Sequence, residues 1–316
     1  MTIKKSFWMS ALYFILLGLS PLIGNAANSE SVKKSDDAVR VQQPPFEQIE
    51  FDSLDTTGFF SSKPVSIKGY MLKAKQGGKT PGAVLAPACN GLLSPNGGQI
   101  RPQYRKMAKF LNDMGMTVFL IDGFNPRGFK EICTHSVKAR SIDTTTRLKD
   151  ALGGLLYMRG RSDVVTDQII LVTWGAAGSF QAVNKASPYH EKIGTGFTAA
   201  IMFYPQCIGV GNRFAPYAPI QMFVGEKDTW TPAAACLELA RQQESGSASF
   251  DIKIYPDTYH GFDQPRPPSL LTDAAVGPVM TGGNPESATD AYKTSAAFLS
   301  RLIEFGNDRS GRQVTN

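Results

Sequence analysis

The chain has 316 residues, of which 42% are hydrophobic and 19% charged, enough for one large domain with a substantial core. Its net charge of +6 is scattered without runs of Lys or Arg, which excludes a nucleic-acid groove. Four Cys and three His form neither a Cys-x-x-Cys pair nor a His-rich cluster, so no metal site and no cofactor are expected.

Residues 1–26 read as a secretory signal peptide: Lys4 and Lys5 give the positive start, Phe7 to Leu22 the apolar run, and Gly24-Asn25-Ala26 a small-residue cleavage site. Ser10, Ser20 and Pro21 interrupt that run, which falls short of the ~20 apolar residues of a firm membrane span. A secreted or periplasmic protein is expected, with no membrane span once the signal is removed. Residues 27–45 are polar and charged and read as a flexible arm. Residues 46–306 form one domain without an internal linker or repeat, and 307–316 read as a flexible tail.

Within the domain, Val65 to Leu72 alternates and predicts an antiparallel entry strand. Ala83 to Ala86 is a short apolar strand stopped by Pro87, and a loop rich in Gly, Asn and Pro runs on to Pro102. Tyr104, Met107, Phe110, Leu111 and Met114 fall at helical spacing, and Gly115 closes that helix before a strand at Met116 to Ile121. After the connection Asp122 to His135, the residues Ile142, Leu148, Leu152, Leu155 and Leu156 mark a helix ending near Arg159. Gln168 to Val172 has the branched composition of a strand buried on both faces, and a sharp turn follows it. Strands are expected at Phe197 to Tyr204, Ile220 to Val224 and Phe250 to Tyr255, with helices at Pro232 to Gln243 and Ala288 to Phe305. This alternation predicts an α/β fold: a doubly wound, mostly parallel sheet of seven or eight strands with helices on both faces.

Three segments carry chemistry. Tyr255-Pro256-Asp257-Thr258-Tyr259-His260-Gly261-Phe262-Asp263 follows the last predicted strand and delivers an imidazole on a loop. Gly225-Glu226-Lys227-Asp228-Thr229-Trp230-Thr231-Pro232 presents a carboxylate, Asp228, just past an earlier strand. Thr173-Trp174-Gly175-Ala176-Ala177-Gly178 forms the sharp turn after the strand at 168–172. Together with the run Phe197 to Cys207, the loop Pro87-Ala88-Cys89-Asn90-Gly91 and the stretch Asp122 to Gly128, these segments resemble the dienelactone hydrolase family in order and spacing, over roughly Val65 to Phe305.

The resemblance implies an α/β-hydrolase fold and hydrolysis of small esters or lactones. It also implies a nucleophile, acid, histidine order in which Asp228 holds His260 in its working tautomer. The nucleophile position falls on Gly175, which has no side chain to attack a carbonyl, so the acyl-enzyme route is closed there. Thr173 is a second departure, because the turn asks for a small residue at that place. Glycine at the apex still suits the turn, since it accepts positive φ without strain. Ser179, about one helical turn further on, and Cys89 are the weaker candidates for a substitute nucleophile. An oxyanion hole would draw on the backbone N–H of Ala176 and of Cys89 or Asn90. Two functional outcomes stay open: slow hydrolysis by water activated on His260, or a non-catalytic protein that binds a small ester, lactone or related ligand.

Trp174 and Trp230 flank the site and are expected to line it or join the core. Arg127 is expected to brace a loop, and His135 and His190 to be solvent-exposed or structural. The four cysteines allow three pairings or free thiols. In this fold Cys89 and Cys133 follow neighbouring strands, as do Cys207 and Cys236, which favours those two disulfides. Nothing in the sequence fixes an oligomeric state.

Overall fold

The computed structural model of the chain describes residues 46–57, 62–96, 98–175, 178–210, 214–242 and 248–311. The expected signal peptide and polar arm lie outside the described residues, as does the end of the tail at 312–316.

The elements run β1 (Glu47–Thr56), β2 (Pro64–Leu72), β3 (Thr80–Ala86), α1 (Pro102–Asp113), β4 (Thr117–Asp122), α2 (Thr144–Arg159), β5 (Val164–Trp174), α3 (Ser179–Ala182), α4 (His190–Ile193), β6 (Ala199–Phe203), β7 (Ile220–Gly225), α5 (Ala233–Arg241), β8 (Phe250–Tyr255), β9 (Ser269–Leu271), β10 (Val279–Thr281) and α6 (Pro285–Gly311). The main sheet has eight strands in the order β1-β2-β4-β3-β5-β6-β7-β8. β1 with β2 and β2 with β4 pair antiparallel, and every later pair is parallel. This is the doubly wound sheet that the alternation of apolar runs predicted.

The period of two along each strand divides the core between the two faces of the sheet. Val84, Ile169, Leu171, Ala200 and Met202 join one cluster with α2 residues Leu148, Leu152 and Leu155 and with Leu239 of α5. Leu85, Ile170, Val172, Ile201 and Phe203 join the other, with Tyr104, Met107 and Leu111 of α1 and Ala291 and Phe298 of α6. Every residue of β4, β6 and β7 is buried, which explains why these strands read as apolar runs, broken only by Thr117, Asp122 and Gln221, rather than as alternating ones. Local signals fix the helix starts. Pro102 opens α1, where its missing N–H costs nothing, and the Asp143 side chain accepts the Thr146 N–H at 2.7 Å to cap α2.

Three features depart from the sequence expectation. β1 adds an edge strand whose polar residues Glu47, Gln48, Glu50 and Asp52 conceal it, because only Phe51 and Ser53 are fully buried. β9 and β10 pair antiparallel as a separate two-stranded ribbon, three residues to a strand, too short for a periodic pattern. α6 also starts earlier than expected and runs to Gly311, so the backbone of 307–311 is helical where a tail was expected.

Both favoured disulfides are present, Cys89 to Cys133 and Cys207 to Cys236, with Cα separations of 4.9 and 5.0 Å. No described helix is long and apolar enough to cross a membrane. The loops after β3, β5, β6, β7 and β8 gather at the carboxyl edge of the sheet, where parallel sheets hold their ligands.

Candidate active site

Asp228 lies in the turn after β7 and is buried. One carboxylate oxygen, Oδ1, accepts the backbone N–H groups of Trp230 at 2.9 Å and Thr231 at 2.8 Å. The other, Oδ2, lies 2.7 Å from His260 Nδ1 and accepts the Thr231 hydroxyl at 2.8 Å. Two backbone N–H groups, one hydroxyl and the imidazole thus converge on this buried carboxylate. It fixes the imidazole with its proton on Nδ1 and leaves Nε2 as the acceptor. The structure brings these two sequence-expected residues together.

His260 borders a cavity of about 340 Å³, whose wall includes Ala88, Cys89, Asn90, Tyr204 and Trp230. The Trp230 ring sits 4.9 Å from the imidazole, as expected of a lining residue. Arg101, Glu131, Arg266 and Asp273 add charge to the same wall, and Leu271 and Thr281 bring the β9–β10 ribbon to it.

The turn Pro87 to Gly91 is pinned from several sides. Arg147, buried beneath it, donates to Pro87 O at 2.6 Å, and burial lowers its pKa to about 10, so it stays charged at neutral pH. The Ala88 N–H is taken by Tyr104 Oη at 2.9 Å, and that hydroxyl donates to Asn90 Oδ1 at 2.6 Å. Arg101 donates to the carbonyls of Asn90 and Gly91, Ile132 N–H donates to Cys89 O at 2.7 Å, and Gly91 N–H donates to Ala88 O. With Ala88 and Gly91 committed, Cys89 and Asn90 are the backbone donors this turn could offer to an oxyanion.

Gly175 follows β5 with φ +61°, and its N–H donates to Phe203 O at 3.0 Å. A Cβ built there meets no atom of the described residues beyond its chain neighbours within 4 Å, so the apex has room for a side chain although the conformation suits glycine. Gly178 differs: a Cβ would come within 2.7 Å of Thr144 O, because the start of α3 touches the start of α2. Ala176, the other expected oxyanion donor, lies outside the described residues. Ser179 is buried at the start of α3 and borders a second cavity of about 220 Å³ with Gly175 and Gln206, not the one His260 borders. Thr173 is accommodated in β5, but its buried hydroxyl has no hydrogen-bond partner among the described residues.

One expectation needs correction. Trp174 does not line the cavity of His260; it is fully buried, stacked on Phe203 at 5.5 Å and edge-on to Tyr104 at 4.8 Å. The strand period turns it to the core face together with Val172. Arg127 is the expected brace, donating to Gly123 O at 2.7 Å and to both oxygens of the buried Asp150. His135 is half-buried beside Glu131, and the His190 ring stacks on Tyr217 at 4.7 Å.

Sequence reasoning missed Tyr204 and Asp263. Tyr204 is buried, directly follows β6 and holds φ +38°, a strained conformation for a non-glycine residue that costs about 1–3 kcal/mol. Its ring lies 4.4 Å from the imidazole, and its carbonyl accepts from the Thr231 hydroxyl at 3.1 Å. Asp263 is buried, and that burial pushes its carboxyl up despite hydrogen bonds from Trp174 and Tyr204. Among the described residues no cluster of His, Cys, Asp and Glu is arranged to hold a metal ion.

Comparison with known proteins bears on this geometry. Apo esterase 2 of Thermogutta terrifontis superposes with a TM-score of 0.57 at 15% identity, over 83% of this chain and 96% of that one. Its propionate-bound form gives 0.55 at 16%, over 83% and 96%. At such identities the likeness shows the α/β-hydrolase fold. A Bradyrhizobium protein named "Probable 2-oxo-3-(5-oxofuran-2-ylidene)propanoate lactonase" is 20% identical over 203 residues, covering 62% of this chain and 78% of its own length. Residues 67–303, most of the chain, match the family model of the dienelactone hydrolase family, and the chain belongs to that family.

Proposed function

We propose that this protein is an exported hydrolase of small esters or lactones, impaired because the nucleophile position is Gly175, and that it works by direct attack of water. The observation that carries the reading is the His260–Asp228 pair, 2.7 Å apart, beside a cavity bounded by the turn Ala88 to Asn90. In this mechanism Nε2 of His260 takes a proton from a water whose oxygen bonds to the substrate carbonyl carbon. Asp228 stabilises the imidazolium that forms, and the oxyanion is received by the backbone N–H of Ala176 together with that of Cys89 or Asn90. The intermediate collapses by breaking the bond to the ester oxygen, which takes the proton back from Nε2–H. A lactone yields one hydroxy acid, and an open ester yields an acid and an alcohol. Without a nucleophile such a site retains roughly 10³ to 10⁴-fold acceleration over water.

The cavity wall carries Arg101 and Arg266 together with Glu131 and Asp273, charges of both signs, so the carboxylated substrate in the Bradyrhizobium lactonase's name, and not the wall's net charge, suggests a carboxylated lactone as a test compound. Two disulfides favour an oxidising compartment and so support export. Gly175 also supports a second reading, a binding protein that holds such a ligand without turning it over. The purified protein, assayed with short-chain aryl esters and with a carboxylated lactone, separates the two. Hydrolysis that disappears in His260→Ala supports the first reading. Ligand binding by calorimetry, with hydrolysis no faster than in buffer, supports the second.

A further inference from the structure

We propose that Asp263 is a positioning residue for the imidazole of His260, acting through the ring of Tyr204, and that the same carboxylate ties this ring to the oxyanion turn. The proposal rests on the reading of His260 as the base of the site. Asp263 stands three residues beyond His260 and is 5% exposed. Its Oδ1 accepts the Tyr204 hydroxyl at 2.8 Å and its Oδ2 accepts the Trp174 indole N–H at 2.7 Å. A carboxylate bonded to two buried rings of the core, Trp174 and Tyr204, is costly to bury, and two neutral donors do not require one. Its effect is to draw two aromatic rings toward one point.

Each ring leads to a different half of the site. Tyr204 lies against the imidazole at 4.4 Å, and its carbonyl accepts from Thr231, whose hydroxyl oxygen is also 3.2 Å from His260 Nδ1. The tether at Oδ1 therefore fixes a ring that walls the imidazole, at a residue whose backbone is strained at φ +38°. A strained residue held by several bonds is a place where structure serves function. On the other side, Trp174 meets Tyr104 edge-on at 4.8 Å, and Tyr104 holds both the Ala88 N–H and the Asn90 side chain. Base and oxyanion donors must keep their mutual geometry for water attack, and this carboxylate is the buried group common to both.

Two variants cut the tether differently. Asp263→Asn keeps the shape but offers a donor where one of two donors needs an acceptor. Tyr204→Phe keeps the ring and removes only the hydroxyl. In nitrogen-15 labelled protein, the Nδ1–H of His260, identified by its loss in His260→Gln, should give a downfield, slowly exchanging signal. Both variants should broaden it or speed its exchange with water at least tenfold while unfolding stays cooperative. In a Gly175→Ser background they should lower kcat at least tenfold with KM within twofold. An unchanged signal and exchange rate in both variants overturns the proposal, whatever hydrolysis does. If Gly175→Ser is inert while the signal still responds, the assignment of Gly175 to the nucleophile position fails and the positioning role stands. Should Asp263→Asn not fold, Tyr204→Phe decides alone.

Discussion

The Tyr104 hydroxyl donates to Asn90 Oδ1 at 2.6 Å while accepting the Ala88 N–H at 2.9 Å, so one phenol from helix α1 shapes the turn beside the candidate base. Tyr104→Phe removes both bonds and leaves a buried N–H unpaired, a loss of about 1–3 kcal/mol. Chemical denaturation should report that loss, and hydrolysis of an aryl ester should fall with it. Full stability in the variant would mean that the turn is held by Arg147, Arg101 and the Cys89–Cys133 bond without help from Tyr104.

Thr173 gives a prediction of the opposite sign. Its hydroxyl is buried in β5 without a partner among the described residues, so the fold carries the desolvation of that group and gains no bond for it. Thr173→Val keeps the branched shape that suits a strand and should raise stability by about 1 kcal/mol. A fall in the denaturation midpoint would show that the hydroxyl is satisfied in solution.

The strands at the centre of the sheet were legible because burial on both faces leaves almost only apolar residues, as in β6 and, apart from Gln221, β7. The pair Asp228 and His260 was legible because each follows such a strand in a turn-rich segment. The disulfides followed from the same strand order. Trp174 was misplaced because nearness to Gly175 in sequence does not fix direction; one step of the strand period sends it to the core. Asp263 and its two donors could not be read at all, since the contacts span 89 and 59 positions and leave no spacing signal. The ribbon of β9 and β10 was hidden by its length.

The Cys89–Cys133 disulfide joins the turn Pro87 to Gly91 to a loop 44 positions away, and Cys133 O also accepts the Ala275 N–H between the two strands of the ribbon. Replacing both cysteines by serine should cost up to about 4 kcal/mol, from the loop entropy restored to the unfolded chain. It should lower hydrolysis more than removal of Cys207–Cys236 does, because only the first bond borders the cavity of His260. Equal losses of activity at matched stability would assign both bonds to the fold alone.

Arg161 and Asp163 supply the pH dependence. Hydrogen bonds from the guanidinium, at 2.8 and 2.6 Å, hold the Asp163 carboxyl below its ordinary value of 3.8. A carboxyl depressed in the folded state contributes stability above the unfolded value and loses it as pH falls through the folded one. Asp163→Asn should therefore cost up to about 1 kcal/mol at pH 7, a small amount because solvent screens this partly exposed pair. The difference from the unsubstituted protein should shrink below pH 3.8, which denaturation at a series of pH values measures. A difference constant across that window would mean that the substitution acts through packing and not through the charge.

Gly175→Ser tests the central assignment. Among the described residues beyond its chain neighbours no atom lies within 4 Å of the Cβ it would add, so sterics permit the side chain, while φ +61° imposes a strain of about 1–2 kcal/mol that a stable fold can absorb. If Gly175 occupies the nucleophile position, the new hydroxyl faces His260 with Asp228 already behind it. Attack then passes from water to serine. Aryl ester hydrolysis should rise by about tenfold or more, part of the large factor that nucleophile and base contribute as a unit. Rapid mixing should show a burst of one product equivalent per protein from the acyl-enzyme. The gain should vanish when His260→Ala is added. A variant that folds as well as its parent yet shows no burst would mean that the apex of this turn does not face the imidazole, and the site would have to be sought along the wall formed by Trp230, Tyr204 and the ribbon.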